Sequence, residues 1–272
     1  MKRFRIVGLC LAAIFALTAL VATGASAETP PEVGRCLKKA GGKWKDGGCK
    51  TPSKPAEEKF EWYAAFVGGV PNTERGTPKL KYTSASKPET IIQLESVSGA
   101  VIKATSQSAT GEVTGAKTNI ANNIDFKGVE FKGFKCTSTK PAGSGEGDVK
   151  VNDLNGNIGI EKKGETTAKD KAANRFVPKT GTTFTEFSCN VIPIVVRGAV
   201  LNPLTSNAMK GFPTPVTVKF TGAKGKQKPS KFVGGPEETL ESSIENGPFE
   251  KSDQVLTTLQ KNEEKLEVST VS

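Results

Sequence analysis

The sequence predicts an all-β fold, an antiparallel β-sandwich or a barrel-like body that follows a short N-terminal disulfide loop. Short segments rich in valine, isoleucine, threonine and phenylalanine recur through residues 89–272, and several alternate apolar with polar residues. This period of two is typical of a strand with one buried face. Glycine and proline separate the segments at intervals of roughly 8–12 residues, as in sandwiches and barrels. A β-solenoid is the alternative fold, but no fixed repeat period is present.

The predicted strands follow one another along the chain, separated by turn residues. They span residues 89–97, 99–108, 183–200, 215–222, 252–260 and 264–272. In the fourth, Val216, Val218 and Phe220 share one face. Asn155-Gly156 predicts a tight hairpin turn between "DVKVNDL" and "NIGIEKK". The one short helix candidate is "GPEETLESSIENG".

Residues 1–27 have the pattern of a cleaved secretory signal. Lys2, Arg3 and Arg5 precede an apolar stretch over residues 6–21, and Ala25-Ser26-Ala27 is a small-x-small cleavage signal. An uncleaved membrane anchor is the alternative. With cleavage, the mature chain begins near Glu28 and has no further apolar run of spanning length. We therefore expect a secreted protein that is extracellular or associated with the cell wall.

The cysteines predict two disulfides. Cys10 leaves with the signal, and Cys36, Cys49, Cys136 and Cys189 remain. In a secreted chain four cysteines most often form two bonds. Cys36 with Cys49 is the natural local pair, which leaves Cys136 with Cys189. A zinc site is disfavoured because neither pair has the C-x2-4-C spacing of a zinc knuckle.

The composition predicts three segments: a signal peptide at 1–27, a disulfide-closed basic loop and linker at 28–58, and a β-rich globular body at 59–272. Residues 28–58 are rich in lysine, glycine, proline and glutamate and have almost no aliphatic side chains. Such a segment buries too little apolar surface to fold alone. The polar stretch 163–174 is interpreted as a loop within the body.

The absence of histidine from the whole chain restricts the possible chemistry. It excludes a Ser-His-Asp triad, a Cys-His dyad and histidine metal ligation, and it removes the usual general base near neutral pH. We predict no catalytic residues, no cofactor and no metal site. A hydrolase that cleaves glycans with two carboxylates is the alternative, since Glu57-Glu58, Glu237-Glu238 and Glu263-Glu264 supply acidic side chains.

Two lysine clusters indicate affinity for an anionic partner. The net charge is +10, and removal of the signal, which has three basic and no acidic residues, leaves +7. Clustered lysines attract polyanions electrostatically, and salt screens this attraction. The partner we expect is therefore an anionic cell-wall polymer or another extracellular polyanion. A merely solubilising surface is the alternative, and no motif for sequence-specific nucleic-acid binding is present. The clustered lysines are Lys38, Lys39, Lys43 and Lys45, and then Lys224, Lys226, Lys228 and Lys231.

Four segments resemble a group of uncharacterised secreted proteins of actinobacteria. They are "TGEVTGAKT", "GFKCTSTKPAGSGEGDVKVNDLNGNIGI", "KGKQKPSKFVGGPEETLESSIENGPFE" and "TLQKNEEKLEVSTVS". The resemblance implies secretion, an N-terminal cysteine loop and a β-rich body, and it implies no activity. Members of this group often have cysteine where Ala104 and Val129 stand here, so a disulfide is absent at this place. That agrees with pairing Cys136 with Cys189. We expect a non-enzymatic module with a binding or structural role.

Overall fold

The computed structural model describes residues 31–55, 57, 59–204 and 212–270, so the predicted signal lies outside the described residues. Strands make up the regular structure, together with two short 3-10 turns at Thr73–Arg75 and Thr167–Lys169. The first eleven strands are β1 (Glu32–Lys38), β2 (Phe60–Ala64), β3 (Phe66–Val67), β4 (Val70–Pro71), β5 (Lys81–Ser86), β6 (Gln93–Ser96), β7 (Val101–Lys103), β8 (Ser106–Val113), β9 (Thr118–Lys127), β10 (Glu130–Phe131) and β11 (Phe134–Lys140). The others are β12 (Val149–Val151), β13 (Leu154–Lys162), β14 (Lys171–Pro178), β15 (Thr183–Cys189), β16 (Ile192–Gly198), β17 (Val200–Leu204), β18 (Val216–Ala223), β19 (Lys226–Lys228), β20 (Leu240–Ile244), β21 (Glu250–Asn262) and β22 (Glu267–Ser269).

The body is an eight-stranded antiparallel β-barrel, which confirms the all-β prediction and selects the barrel. Its eight wall strands run alternately up and down in chain order, and most consist of two of the strands named above. They are β5 with β6, β7 with β8, β9 with β10, β11 followed by β12 and β13, β14 with β15, β16 with β17, β18 with β20, and β21. Pairing of β21 with both β5 and β6 closes the ring. The hairpin turns of β6–β7, β10–β11, β15–β16 and β20–β21 lie at one end, here called the lower end.

Alternation along the wall strands separates the barrel interior from its outer surface. In β18, Val218 and Phe220 line the interior while Lys219 is exposed, as the sequence predicts. In β21, Leu256 and Thr258 face the interior in the same way. Because one face of each strand is buried, a register shift of one residue would expose this set, so the pattern fixes the register.

The upper end of the barrel is covered by a three-stranded sheet in the order β2-β1-β22. Val33 of β1 and Leu266 beside β22 are fully buried, and they pack in one cluster with Val113, Ile158 and Leu204 from the top of the wall strands. The first and last described strands therefore close the barrel together. We call this sheet the upper plug.

The upper plug corrects the prediction that residues 28–58 form a loop and linker outside the body. β1 pairs with β22 over Glu32–Gly34 and with β2 over Gly34–Lys38. The segment has few aliphatic residues, but the one valine of β1 fills the barrel top. Trp44 packs against the Cys36–Cys49 bond and partly buried Phe60, so a small second core lies outside the plug.

Both predicted disulfides are confirmed. Cys36 is bonded to Cys49, and Cys136 is bonded to Cys189. Cys136 and Cys189 are directly opposite each other in the β11–β15 ladder, so this bond joins two neighbouring wall strands. Ala104 and Val129 face each other in a similar way, one step beyond the Lys103 to Glu130 pair of β7 and β10.

Three local predictions were wrong. Asn155 and Gly156 lie inside β13, because β12 and β13 continue along β9 in a single register. Residues 183–200 form a hairpin and not one strand, with its turn at Asn190, whose φ is 56°. The helix candidate contains strand β20, which pairs with β16 and β21.

Glycine at position 156 is required by close packing and not by a turn. Gly156 is opposite Asn119 in the β13–β9 ladder, and a Cβ atom built on it would lie 2.2 Å from Asn119 Oδ1. The Asn119 amide donates a hydrogen bond to Asn174 Oδ1 at 3.1 Å inside the barrel. A glycine that permits close approach and a glycine that permits a turn have the same sequence signal.

Candidate ligand-binding cavity

The barrel interior contains a cavity of about 190 Å³. Its lining comes from every part of the wall and is mostly apolar. Its large apolar side chains include those of Phe126, Phe176, Phe184, Phe187, Phe220 and Leu256. Eight-stranded barrels have an interior that side chains just fill or that holds one small ligand, and this barrel has space left over.

The cavity exists because several inward-facing residues of adjacent wall strands are small. Ala104 and Ala109 on the second wall strand and Ala121 on the third line it. Ala109 is opposite Ser84 of β5, which is also short and also lines the cavity. Four small side chains on three adjoining wall strands leave part of the space inside the barrel unfilled. The sequence signal was an alanine or serine at an inward position, which is not distinctive alone.

Most of the polar lining residues lie on the same side of the barrel. Gln260 is opposite Ser84 in the β21–β5 ladder, and the backbone N–H of Gln107 in β8 donates to the hydroxyl of Ser86 in β5. Thr258 of β21 joins them in the lining. This gives the cavity a polar stripe on its eighth, first and second wall strands, and a largely apolar opposite wall.

Two buried polar atoms of the lining have no hydrogen-bond partner among the described residues. They are Oε1 of Gln107 and Oγ1 of Thr185. Gln107 is only 6% exposed and Thr185 only 5%. A buried polar group without a partner costs roughly 1–3 kcal/mol. A ligand that offers a hydrogen-bond donor would remove part of that cost.

The lining is uncharged apart from one residue at the surface. Tyr82 donates its hydroxyl proton to the Ile120 carbonyl at 2.8 Å, and burial raises the pKa of Tyr82 far above its usual range. Lys103 is the other titratable lining residue, and it is exposed beside Gln93. The cavity lining reaches solvent on that side. An interior without charge favours a neutral occupant, because burying an unpaired charge is costly.

The structure places the predicted basic residues on two separate surfaces. Lys38, Lys39, Lys43 and Lys45 lie by the upper plug, where Lys45 pairs with Glu57 at 3.2 Å and Lys39 stands 5.6 Å from the Tyr63 ring centre. Lys224, Lys226, Lys228 and Lys231 lie on and beside the β18–β19 hairpin, and we call them the β19 lysine cluster. Among the described residues no ion pair involves these four exposed side chains.

A buried glutamine anchors the β19 lysine cluster to the barrel. Gln227 accepts a hydrogen bond from the Leu201 backbone at 3.1 Å and donates to the carbonyls of Ala199 and Glu238. With Gln227 turned inward, alternation turns Lys226 and Lys228 outward. The structure thus fixes these two ammonium groups on one face, while the Lys45 of the other cluster is already paired.

The described members of the predicted carboxylate pairs do not meet in the cavity, and Glu58 lies outside the described residues. Glu238 pairs with Arg175 at 2.7 Å, Glu237 with Lys251 at 3.8 Å, and Glu264 with Arg35 at 3.1 Å. The residues that line the cavity include no aspartate or glutamate. The cavity therefore lacks the pair of acids that glycoside hydrolysis requires.

An aspartate pair on the outer wall was not predicted from any sequence pattern. Lys127 Nζ is 2.7 Å from Asp125 and 2.8 Å from Asp148, and the backbone of Ser144 donates to Asp148 at 2.5 Å. The hydrogen bond from Asp125, followed by those from Lys127 and Ser144, holds the pKa of Asp148 well below its usual range. Burial, and then the hydrogen bond to Asp148, raises the pKa of Asp125. Asp148 belongs to the glycine-rich loop 141–148, so only the fold brings it to Asp125.

Fold and cavity together define the class of this protein, an up-and-down β-barrel with an internal apolar cavity. No family model matches the chain, and no similar protein was found among curated proteins or solved structures. In the part of the chain that the structure describes, no helix is long and apolar enough to cross a membrane.

Proposed function

We propose that this protein is a secreted, non-enzymatic binding module whose barrel holds one small, neutral, mainly apolar molecule. The observation that carries the proposal is the 190 Å³ cavity with an apolar wall, a polar stripe and two buried polar atoms that lack partners. The two disulfides support export, because such bonds persist mainly in oxidising compartments.

The cavity volume limits the size of the ligand. An engineered apolar cavity of about 150 Å³ stays dry and binds benzene. A cavity of 190 Å³ therefore fits a single ring with one or two substituents, or a short branched chain. The unpartnered Gln107 Oε1 favours a ligand with one hydroxyl or N–H donor.

A calorimetric titration with p-cresol, toluene and p-toluate tests this proposal. We expect p-cresol to bind, toluene to bind more weakly because it has no donor, and the anionic p-toluate not to bind. Ala121→Leu, which places extra methyl groups in the cavity, should weaken p-cresol binding by about tenfold or more, equivalent to about 1.4 kcal/mol. Absence of binding by both neutral probes at millimolar concentration would remove the proposal.

Ala85→Leu is the matched control. Ala85 is exposed on the outer face of β5, next to the inward-facing Ser84. The same substitution there adds the same side chain to the same barrel wall but leaves the cavity unchanged. Equal loss of affinity in the two variants would show that the probe does not occupy the interior.

A second function, binding of an anionic wall polymer, is favoured by the exposed β19 lysine cluster with no ion pairs among the described residues. Co-sedimentation with purified cell wall at low and high salt is the test. Lys226→Gln/Lys228→Gln should weaken binding at low salt more than Lys43→Gln/Lys50→Gln, which changes two exposed lysines in and beside the Cys36–Cys49 loop. High salt should remove the difference by screening. No sedimentation of the wild-type protein at low salt would refute this function.

A further inference from the structure

The lower end of the barrel carries an exposed apolar side chain at each of its four hairpin turns. Val97 is 55% exposed in the β6–β7 turn, Phe134 46% after the β10–β11 turn, Val191 83% in the β15–β16 turn and Phe249 37% in the β20–β21 connection. Each hairpin is offset along the barrel wall from the preceding one, and the offset is always in the same direction. Strand tilt in a closed barrel requires such an offset. The four turns therefore lie around one rim, which we call the lower rim.

Packing of the barrel core does not require apolar side chains at these four exposed positions. The interior just above the rim is already filled by Ile102, Phe131 and Ile194, each at most 5% exposed. Hairpin turns ordinarily carry polar residues, and single exposed apolar residues elsewhere on a surface need no explanation. Four of them, one on each turn of the same rim, form a pattern that a scattered distribution does not give.

Phe134 and Val191 are next to each other on the lower rim. Each lies two residues beyond a cysteine of the directly opposed Cys136 and Cys189 pair of the β11–β15 ladder, toward the lower end. The Cys136–Cys189 bond ties these two hairpins together directly above the exposed pair. The Arg197 guanidinium packs on the phenyl group of Phe249, 3.5 Å from its centre.

Basic residues accompany the apolar tips. Lys132 is exposed in the β10–β11 turn with its ammonium 5.2 Å from the Phe131 ring centre, and Lys224 lies beside Val97 in the β18–β19 turn. The backbone N–H of Lys224 bonds to Glu95, and Glu245 is also exposed on the rim, so acidic groups are present too. From Lys224 the β19 lysine cluster extends the basic surface up the outer wall.

We propose that the lower rim docks on an anionic lipid surface, with the four apolar side chains among the headgroups and nearby lysines against the phosphates. Lysines near such a surface are attracted to its anionic headgroups, and apolar side chains add burial in the interface. The rim fits a lipid surface better than a protein, because polar turn residues (Ser98, Lys132, Asn190 and Asn246) separate the tips, whereas a protein interface requires a contiguous buried core.

This proposal does not depend on the ligand in the cavity. It shares only the β19 lysine cluster with the proposed wall-polymer binding, and the two differ in what the apolar tips contribute. Polymer binding through lysines alone is fully screened by salt and insensitive to Phe134 and Val191. Docking on lipid has an apolar component that salt does not remove.

Vesicle flotation of the protein secreted into the medium of an expression host provides the test. Phosphatidylcholine vesicles and vesicles with equal parts phosphatidylcholine and phosphatidylglycerol are compared at low and high salt. We expect preferential binding to the anionic vesicles, with a part that remains at high salt. Phe134→Asp/Val191→Asp should lower the vesicle affinity by tenfold or more, which is at least about 1.4 kcal/mol.

Val67→Asp/Val70→Asp is the matched control. Val67 and Val70 are 59% and 63% exposed and face each other in the β3–β4 hairpin, away from the lower rim. The control variant should bind vesicles as the wild type does. Circular dichroism and the thermal transition of both variants establish that they are folded.

Three outcomes would overturn the proposal. One is absence of wild-type binding to anionic vesicles, and another is equal vesicle affinity of the rim variant and the control variant. The third is wild-type self-association in sedimentation velocity that the rim variant abolishes without any change in vesicle binding. If the rim variant fails to fold, Val191→Asp alone, at the 83% exposed position, gives the same comparison.

Discussion

At the scale of single residues, the fold depends on buried positions occupied by glycine, by alanine or by a polar residue. Glycine and alanine leave space that a neighbour or a cavity occupies, and buried polar groups specify register. Gly156 leaves room for the Asn119 amide, and Ala121 leaves room in the interior. Composition alone does not distinguish these residues from loop glycines and surface alanines.

The first prediction concerns Gly156. Gly156→Ala places a Cβ atom 2.2 Å from Asn119 Oδ1 and disturbs the buried hydrogen bond between Asn119 and Asn174. We expect the free energy of unfolding in urea to fall by about 1–3 kcal/mol, as for other overpacked sites. Gly145→Ala is the control, because a Cβ atom there meets nothing within 4 Å. Similar stability of the two variants would contradict the close packing described for β9 and β13.

The second prediction concerns pH and Asp148. The pKa of Asp148 is below its usual range in the folded protein, so its ionised form stabilises the fold at pH above the unfolded pKa of about 3.9. This contribution is lost as the pH falls from there through the lower folded pKa. We therefore expect Asp148→Asn to be less stable than the wild type at pH 7, and the difference to shrink as the pH falls below about 4.

Urea unfolding of the wild type and Asp148→Asn at a series of pH values measures this difference. Asp125 acts in the opposite direction, because a raised pKa in the fold makes its contribution fall with rising pH. Asp153→Asn is the control, since Asp153 is a carboxylate outside this cluster. A stability difference between wild type and Asp148→Asn that stays constant from pH 7 to pH 3 would contradict the assignment.

At the scale of elements, the upper plug joins the two ends of the described chain. β1 begins one residue after the first described residue and β22 ends one residue before the last, yet they pair in one sheet. Long-range pairing of this kind cannot be read from local alternation, because the two aliphatic residues of β1 (EVGRCLK), Val33 and Leu37, share their face with the charged Arg35. The lysine-rich segment is a structural part of the barrel.

The third prediction separates the roles of the two disulfides. Removing the Cys36–Cys49 bond by Cys36→Ser/Cys49→Ser should leave the barrel folded but expose residues 38–59 to limited proteolysis, since only a small core of Trp44, Phe60 and Trp62 then holds the loop. The chain-entropy model gives a loss of about 3 kcal/mol for such a short loop.

Cys136→Ser/Cys189→Ser is the comparison. This pair links two wall strands across 53 residues, for which the same model gives about 4 kcal/mol, and proteolysis should then begin in the body. Cleavage that begins in the same segment in both variants would contradict the separate roles. Global unfolding of Cys36→Ser/Cys49→Ser would show that the loop is indispensable to the barrel.

At the scale of the whole molecule, the barrel combines a filled lower end, a plugged upper end and a cavity between them. Ile102, Phe131 and Ile194 fill the lower part, and Val33 with Leu266 closes the top. Closure removes the exposed sheet edges that an open sheet would present. Among the described residues that line the cavity, Lys103 is the exposed one.

The fourth prediction concerns the whole barrel and its proposed ligand. A molecule that binds only the folded state stabilises it by mass action, by about 2.7 kcal/mol at a concentration one hundred times the Kd. Thermal unfolding with increasing p-cresol should therefore show a rising Tm for the wild type and for Ala85→Leu, with a much smaller rise for Ala121→Leu. An equal rise for all three proteins would indicate binding outside the cavity.

The sequence by itself determined the all-β class, both disulfide pairs and the inward face of β18. These properties follow from local alternation and from the number and spacing of cysteines, which one sequence displays directly. The alternation also predicted strand positions, although it did not separate the β15–β16 hairpin or recognise β20.

Only the tertiary structure decided that the strands close into a barrel, that β1 plugs it, and that alanine and serine on three wall strands leave a cavity. Barrel closure depends on pairing β21 with β5, whose residues are far apart in the chain. A cavity is set by the sum of many side-chain volumes around one axis, and no short segment contains that sum. The lower rim likewise exists only because register brings four separate turns to one end.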